Sequence, residues 1–244
     1  MNPSSIKRGV RSSFFCKNII ALGIIILLTV TLPLLVRKYS SEKWEYYIRL
    51  LLGAMIWGQE IALNVYRIIY NEWDFSNSLP FHLCGFAVLL LPVMLYKKLY
   101  SLYEIIYFWG LAGATQALLT PNIDIGFPHF RFIQFFISHG LIVFTVVYST
   151  VVWNYLPTLR SLFKASVLTL FLIIPIGLIN IITHRNYFFI AHKPETTSVL
   201  DYFGPWPWYI LPMIGMGVVM FLVVYSPIGF RRKRSQSISI DNKL

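Results

Sequence analysis

Apolar residues in this chain fall into seven long runs, at about 18–36, 46–66, 79–96, 102–120, 130–153, 162–183 and 208–230, separated by short polar connections. Each run is close to the ~20 residues a helix needs to cross the hydrocarbon core of a bilayer. The pattern predicts an all-α, polytopic membrane protein: a bundle of seven transmembrane helices over 18–230. A basic N-terminal tail (1–17) and a basic, polar C-terminal tail (231–244) flank it. The first run resembles a signal peptide, but no small-residue cleavage site follows it, so it reads as an uncleaved first span.

The polar residues inside these runs are not scattered. The stretch 126–141, Gly-Phe-Pro-His-Phe-Arg-Phe-Ile-Gln-Phe-Phe-Ile-Ser-His-Gly-Leu, opens the fifth span. Its Arg131, Gln134, Ser138 and His139 share an arc of roughly 140° if the residues are helical at about 100° each. Polar groups facing lipid are costly, so this stripe belongs on the bundle interior. Alternating helices bring the ends of spans two, four and six beside the starts of three, five and seven. That end gathers Gln59, Glu60, Asn64, His82, Cys84, Gln116, Asn122, Asn180, His184 and Asp201 as well. The opposite half reads as nearly featureless, Glu104 being the main exception. A single polar cavity in one leaflet is expected.

Two groups in that cavity bear on chemistry. Glu60, Asn64 and Arg67 stack within about 60° of helix surface. An intramembrane carboxylate is a functional candidate paired with Arg67 or Arg131, or else a buried ion pair locking spans two and five. In Ser78-Leu79-Pro80-Phe81-His82-Leu83-Cys84-Gly85-Phe86, Pro80 suits a first helical position with Ser78 or Leu79 as cap. Cys84 then lies about one turn in, where free amides and the helix dipole favour a thiolate. His82 is roughly 200° around the helix from it, and His139 is the better base. The plain alternative for a lone cysteine is packing as a small hydrophobe. Gly110 and Ala114 read as helix-packing positions, and Pro175 and Pro212 as kinks.

Composition agrees with the pattern. Hydrophobic residues make up 57% and charged residues 13% of the 244, and the mean hydropathy is +0.63. A water-soluble domain carries about twice that charged share. The net charge of +11 comes from Lys and Arg in short connections and at the C-terminus, which suits anionic lipid heads rather than nucleic acid. Twelve of these basic residues lie on the side of Arg37 and Lys98 and eight on the other, counting the N-terminal tail. That bias favours an outside N-terminus and a cytoplasmic C-terminus, with the cavity in the outer leaflet. Two cysteines, Cys16 and Cys84, make no disulfide framework. No nucleotide fingerprint and no internal repeat appears.

Four ordered motifs carry a resemblance: Leu79-Pro80-Phe81-His82-Leu83-Cys84, Gly126-Phe127-Pro128-His129-Phe130-Arg131-Phe132, Ser138-His139-Gly140 and Gly204-Pro205-Trp206-Pro207-Trp208-Tyr209. Together they resemble the YwaF-type family of bacterial integral membrane proteins, over nearly the whole chain apart from its tails. That family is distantly similar to a eukaryotic membrane acyltransferase that moves fatty acyl chains between phospholipids through a Cys and a His on separate helices. The resemblance implies a multi-pass protein of the bacterial plasma membrane, with Cys84 as acyl acceptor and His139 as general base.

The leading expectation is a lipid-modifying thiol acyltransferase or acyl hydrolase without a cofactor. Arg131 and an aromatic gate at Trp206 and Trp208 would hold the head group, with His82, His129 and Glu60 also lining the substrate site. Gln134 or Asn64 would donate to the oxyanion. A metal-dependent lipid hydrolase is the second reading, with an ion among His82, His129, His139 and His184 aided by Glu60. A non-enzymatic carrier or receptor is the third, although an odd span count without repeats counts against a transporter. The expected partner is membrane lipid, and neither nucleic acid nor another protein is implied.

Overall fold

The computed structural model describes residues 3–75, 78–121, 123, 125–194 and 198–241, with side chains described from 16 to 230. Among these residues the chain is helical without strands: α1 (Pro3–Tyr39), α2 (Glu42–Ile69), α3 (Leu83–Lys97), α4 (Tyr100–Phe108), a π-helical segment (Trp109–Ala114), α5 (Thr115–Leu119), α6 (Phe130–Val152), α7 (Leu159–Thr183) and α8 (Ile210–Asp241). Backbone angles stay right-handed helical through Phe108, Trp109, Ala114 and Thr115. The fourth rod therefore runs without a break from α4 to α5, and the described helices form seven rods. Five of them contain stretches long and apolar enough to span a bilayer, in α1, α2, α6, α7 and α8.

The core lies where α3, α4 and α6 meet. Leu91, Met94, Leu95, Tyr103, Ile106, Phe108, Ile142 and Val146 are wholly or almost wholly buried there. Gly110 makes the contact possible, because a Cβ on it would stand 2.9 Å from Ile142 Cγ2 and 3.3 Å from Val146 Cγ2. This is the small-residue approach expected between membrane helices. Helices α1, α7 and α8 sit at the periphery and turn Ile24, Leu27, Phe171, Ile174, Ile181 and Val223 outward. Such faces need no protein partner when the surroundings are acyl chains.

Three expectations change. The third span is helical only from Leu83, with His82 as N-cap (φ −121°, ψ 156°), not from Pro80. Fifteen helical residues at ~1.5 Å each reach only ~22 Å, short of the ~30 Å core. Leu79, Pro80 and His82 are non-helical and line a cavity, where irregular backbone is tolerable at membrane depth. Pro80 biases Leu79 away from helix and folds back over α3. A Cβ on Gly85 would stand 2.7 Å from the Pro80 carbonyl oxygen and 2.8 Å from its Cα, so that fold needs glycine. Second, Pro212 lies in the first turn of α8, where its missing N–H breaks no helical hydrogen bond and no kink is called for. Pro175 is internal to α7, as expected.

Third, the end of the bundle opposite the histidines is not featureless. Glu45, near the start of α2 and 7% exposed, forms ion pairs with Arg49 Nε at 3.0 Å and Lys98 Nζ at 3.0 Å. It also accepts from Trp153 Nε1 at 2.8 Å and the Tyr148 hydroxyl at 3.1 Å. Arg49 in turn donates to the carbonyls of Leu95 and Tyr96, at 2.8 and 3.0 Å, satisfying the free end of α3. Glu104 accepts from Lys164 Nζ at 2.6 Å and Ser161 Oγ at 2.7 Å. Every acid and base of these two clusters has its partner inside the bundle.

Candidate functional site

A cavity of about 350 Å³ opens at the other end, within the ~300–1,000 Å³ usual for small-molecule sites. Glu60, Leu63 and Arg67 of α2 form one wall, and Arg131, Gln134, Ser138 and His139 of α6 form another. Ser78, Leu79, Pro80 and His82 of the non-helical limb before α3, with Cys84, Gly85 and Val88 of α3, close the third. Six of the ten catalytic and substrate-site residues expected from the sequence thus meet around one space: Cys84, His139, His82, Glu60, Arg131 and Gln134.

Cys84 is the second residue of α3, one position past the first helical residue after the His82 cap. Its Sγ rests against the π-helical segment, and a Cβ on Gly113 would stand 3.2 Å from it. Single-turn π geometry is frequent at functional sites. Gly113 escapes sequence reading because a π turn has no residue signature. His139 keeps its ring against Phe135, with centroids 4.3 Å apart, and its Nδ1 lies 2.9 Å from the Phe135 carbonyl oxygen. A carbonyl only accepts, so this hydrogen bond puts the ring proton on Nδ1 and leaves the Nε2 lone pair free. No hydrogen bond joins Cys84 to His139 among the described residues; they are walls of the same cavity.

The polar residues of α2 and α6 are partly tied to each other. Gln134 Nε2 donates to Gln59 Oε1 at 2.8 Å, and Gln59 Nε2 to the Ile56 carbonyl at 3.1 Å. Glu60 accepts from Asn64 Nδ2 at 3.3 Å. The anticipated ion pair of Glu60 with Arg67 or Arg131 is not among the ion pairs of the described residues; the Glu60 carboxylate instead accepts from Asn64, one turn on. Arg67 is 7% exposed, and its Nε is buried without a hydrogen-bond partner.

Four of the proposed substrate-site residues lie elsewhere. Asn64 is absent from the cavity wall; its Oδ1 accepts from Trp73 Nε1 at 3.3 Å. His129 caps α6, its Nδ1 accepting from the Arg131 amide at 3.2 Å. Trp206 and Trp208 are 61% and 71% exposed, and Trp206 Nε1 donates to the Ile190 carbonyl at 3.0 Å. His184 closes α7 in the left-handed region at φ 53°, and Asn122 lies outside the described residues. Of the four histidines of the metal reading, His82 and His139 line the cavity, and His129 and His184 do not. Among the described residues no three of His, Cys, Asp and Glu come together as an ion site.

Behind the limb stands a buttress. Asn180 is 4% exposed; it donates to the Tyr187 carbonyl at 2.9 Å and accepts from the Tyr187 amide at 2.8 Å. Tyr187, 1% exposed, packs its ring 5.3 Å from both Phe81 and His82, and its hydroxyl donates to the Phe75 carbonyl. Arg185 pairs with Asp74 at 2.8 Å. The connection after α7 thereby holds the limb that carries His82 toward Cys84. A separate apolar groove of about 370 Å³ runs between α1, α2 and α6, with Ile24, Leu28, Phe132, Phe136 and Gly140 in its walls.

A helical bundle with lipid-compatible outer faces and one polar cavity at its end defines a multi-pass integral membrane protein. Within that class, residues 12–225 match the TMEM164 family, and the protein belongs to it. No curated protein and no solved structure matches the chain.

Proposed function

We propose that the protein is a lipid-modifying thiol acyltransferase or acyl hydrolase, of the YwaF type and akin to the eukaryotic membrane acyltransferase that its motifs resemble. The observation that carries this reading is the meeting of Cys84 and His139, from different helices, on one membrane-embedded cavity, with His139 Nε2 left free by the Nδ1 bond to Phe135. In the proposed cycle His139 Nε2 takes the Cys84 proton, and the thiolate attacks the carbonyl carbon of an acyl ester. The C–O bond breaks, the leaving alkoxide receives the proton from His139, and the acyl group stays on Sγ as a thioester. A hydroxyl acceptor or water then gives its proton to His139 and attacks the thioester, and the released thiolate recovers that proton. The site works in the plasma membrane of a bacterium, on the outer leaflet, with the N-terminus outside and the C-terminus in the cytoplasm.

The test is labelling with a lipid-like electrophile. Cys16, exposed on α1, is the internal control. Cys84 is expected to label in preference to Cys16, and His139→Ala to slow that labelling while the protein stays folded and monodisperse. Equal labelling of both cysteines, unchanged by His139→Ala, would reduce Cys84 to packing.

A further inference from the structure

The two ends of the bundle differ in how charge is balanced. At the Glu45 end, Arg49, Lys98 and Lys164 each sit on a carboxylate. At the cavity end the balance fails. Arg67 is almost wholly buried, with its Nε closed off and unpartnered. It also lies in the field of Arg131, a second positive charge on another wall of the same cavity. The Arg131 side chain makes no hydrogen bond or ion pair among the described residues. Glu60, the one acid in the lining, acts on Arg67 but forms no ion pair with it among the described residues and accepts from Asn64; one carboxylate thus faces two guanidinium groups, and Glu72, which also acts on Arg67, lies on an exposed connection. Asp74 is engaged by Arg185.

A desolvated guanidinium beside a like charge is costly unless something answers it. The missing group is an anion with several acceptor oxygens, since two guanidinium forks can each offer paired N–H donors to such a group. We infer that Arg67 and Arg131 form an anion site for a phosphate group. The source is the head of a phospholipid or free phosphate. The first deepens the preceding proposal, on which that part rests, by adding Arg67 to Arg131 as the residues that hold the phosphate of the lipid. Neither Arg67 nor this pairing is visible in the motifs that suggest the thiol chemistry.

The experiment uses full-length protein in non-ionic detergent, stripped of lipid and titrated with short-chain phosphatidylglycerol under native mass spectrometry. Diacylglycerol of the same chain length is the phosphate-free comparison, and inorganic phosphate the competitor. Phosphatidylglycerol is expected to bind and diacylglycerol not to. Arg67→Gln and Arg131→Gln should each weaken binding by about tenfold or more, as for loss of a charged hydrogen bond, and Arg131→Lys should recover part of it. Competition by phosphate as potent as by the lipid would assign the site to the free ion; failure of phosphate to compete would assign it to the lipid head. Equal retention of diacylglycerol, or unchanged affinity in both glutamine variants, would overturn the site. Should Arg67→Gln fail to fold, the less buried Arg131 decides the matter. Arginine-dependent binding with an inert Cys84 would sink the acyl-enzyme alone, and Cys84 labelling without that binding would sink only the anion site.

Discussion

Gly85 lies so close to Pro80 that a Cβ on it would stand 2.7 Å from the Pro80 carbonyl oxygen. The contact is backbone against backbone, with no flexible side chain to yield. It folds the non-helical limb over the first turn of α3 and sets where His82 and Cys84 enter the cavity. Gly85→Ala should cost about 1–3 kcal/mol, as overpacking does, and should also alter Cys84 labelling. Gly58, on α2 with nothing within 4 Å of its Cβ position, is the contrast: Gly58→Ala should be neutral or gain about 0.5–1 kcal/mol. Thermal unfolding in detergent compares the two, and a Gly85→Ala protein as stable as Gly58→Ala would refute the contact.

The Glu45 cluster should behave as a structural lock. Glu45→Ala leaves Arg49 buried without its carboxylate, and removal of one partner of a buried pair costs about 3–5 kcal/mol. Replacing Glu45 and Arg49 together by apolar residues should recover part of that. Lys98, whose side chain is 44% exposed, should contribute less than about 1 kcal/mol. Additive losses in the single and double variants would count against the lock.

Asn180 should matter to the cavity without touching it. Asn180→Ala strands the amide and carbonyl of Tyr187, a loss of about 1–3 kcal/mol for buried polar groups left unpaired. Faster hydrogen exchange over residues 184–190 and altered labelling of Cys84 are the expected readouts. Unchanged exchange there would show that the limb needs no buttress.

Much of this architecture is legible in the sequence because the bilayer is a severe solvent. Seven apolar runs have few other ways to satisfy their backbone than as spanning helices, and alternation alone carries the starts of odd spans to the ends of even ones. That logic brings Cys84, His139, Arg131, Gln134 and Glu60 to one end before any coordinates exist. It fails at His129, Asn64 and the two tryptophans, because proximity to an end does not say which side chains turn inward. His129 is spent capping α6, and Asn64 turns to Glu60 and Trp73.

Pairing is what the tertiary structure alone decides. Glu45 lies just before the second apolar run and carries no motif, yet α6 and the connection after it bring Tyr148 and Trp153 onto its carboxylate. Arg67 and Arg131 both read as partners for Glu60, yet the carboxylate accepts from Asn64 and both guanidinium groups are left lining the cavity. Hydropathy and period fix which residues must leave the lipid, since that cost depends on each residue alone. Which partner each one finds depends on distances of a few ångströms between different helices, and those distances are set by contacts such as Gly110 on Ile142 and Gly113 on Cys84, which no single run of sequence contains.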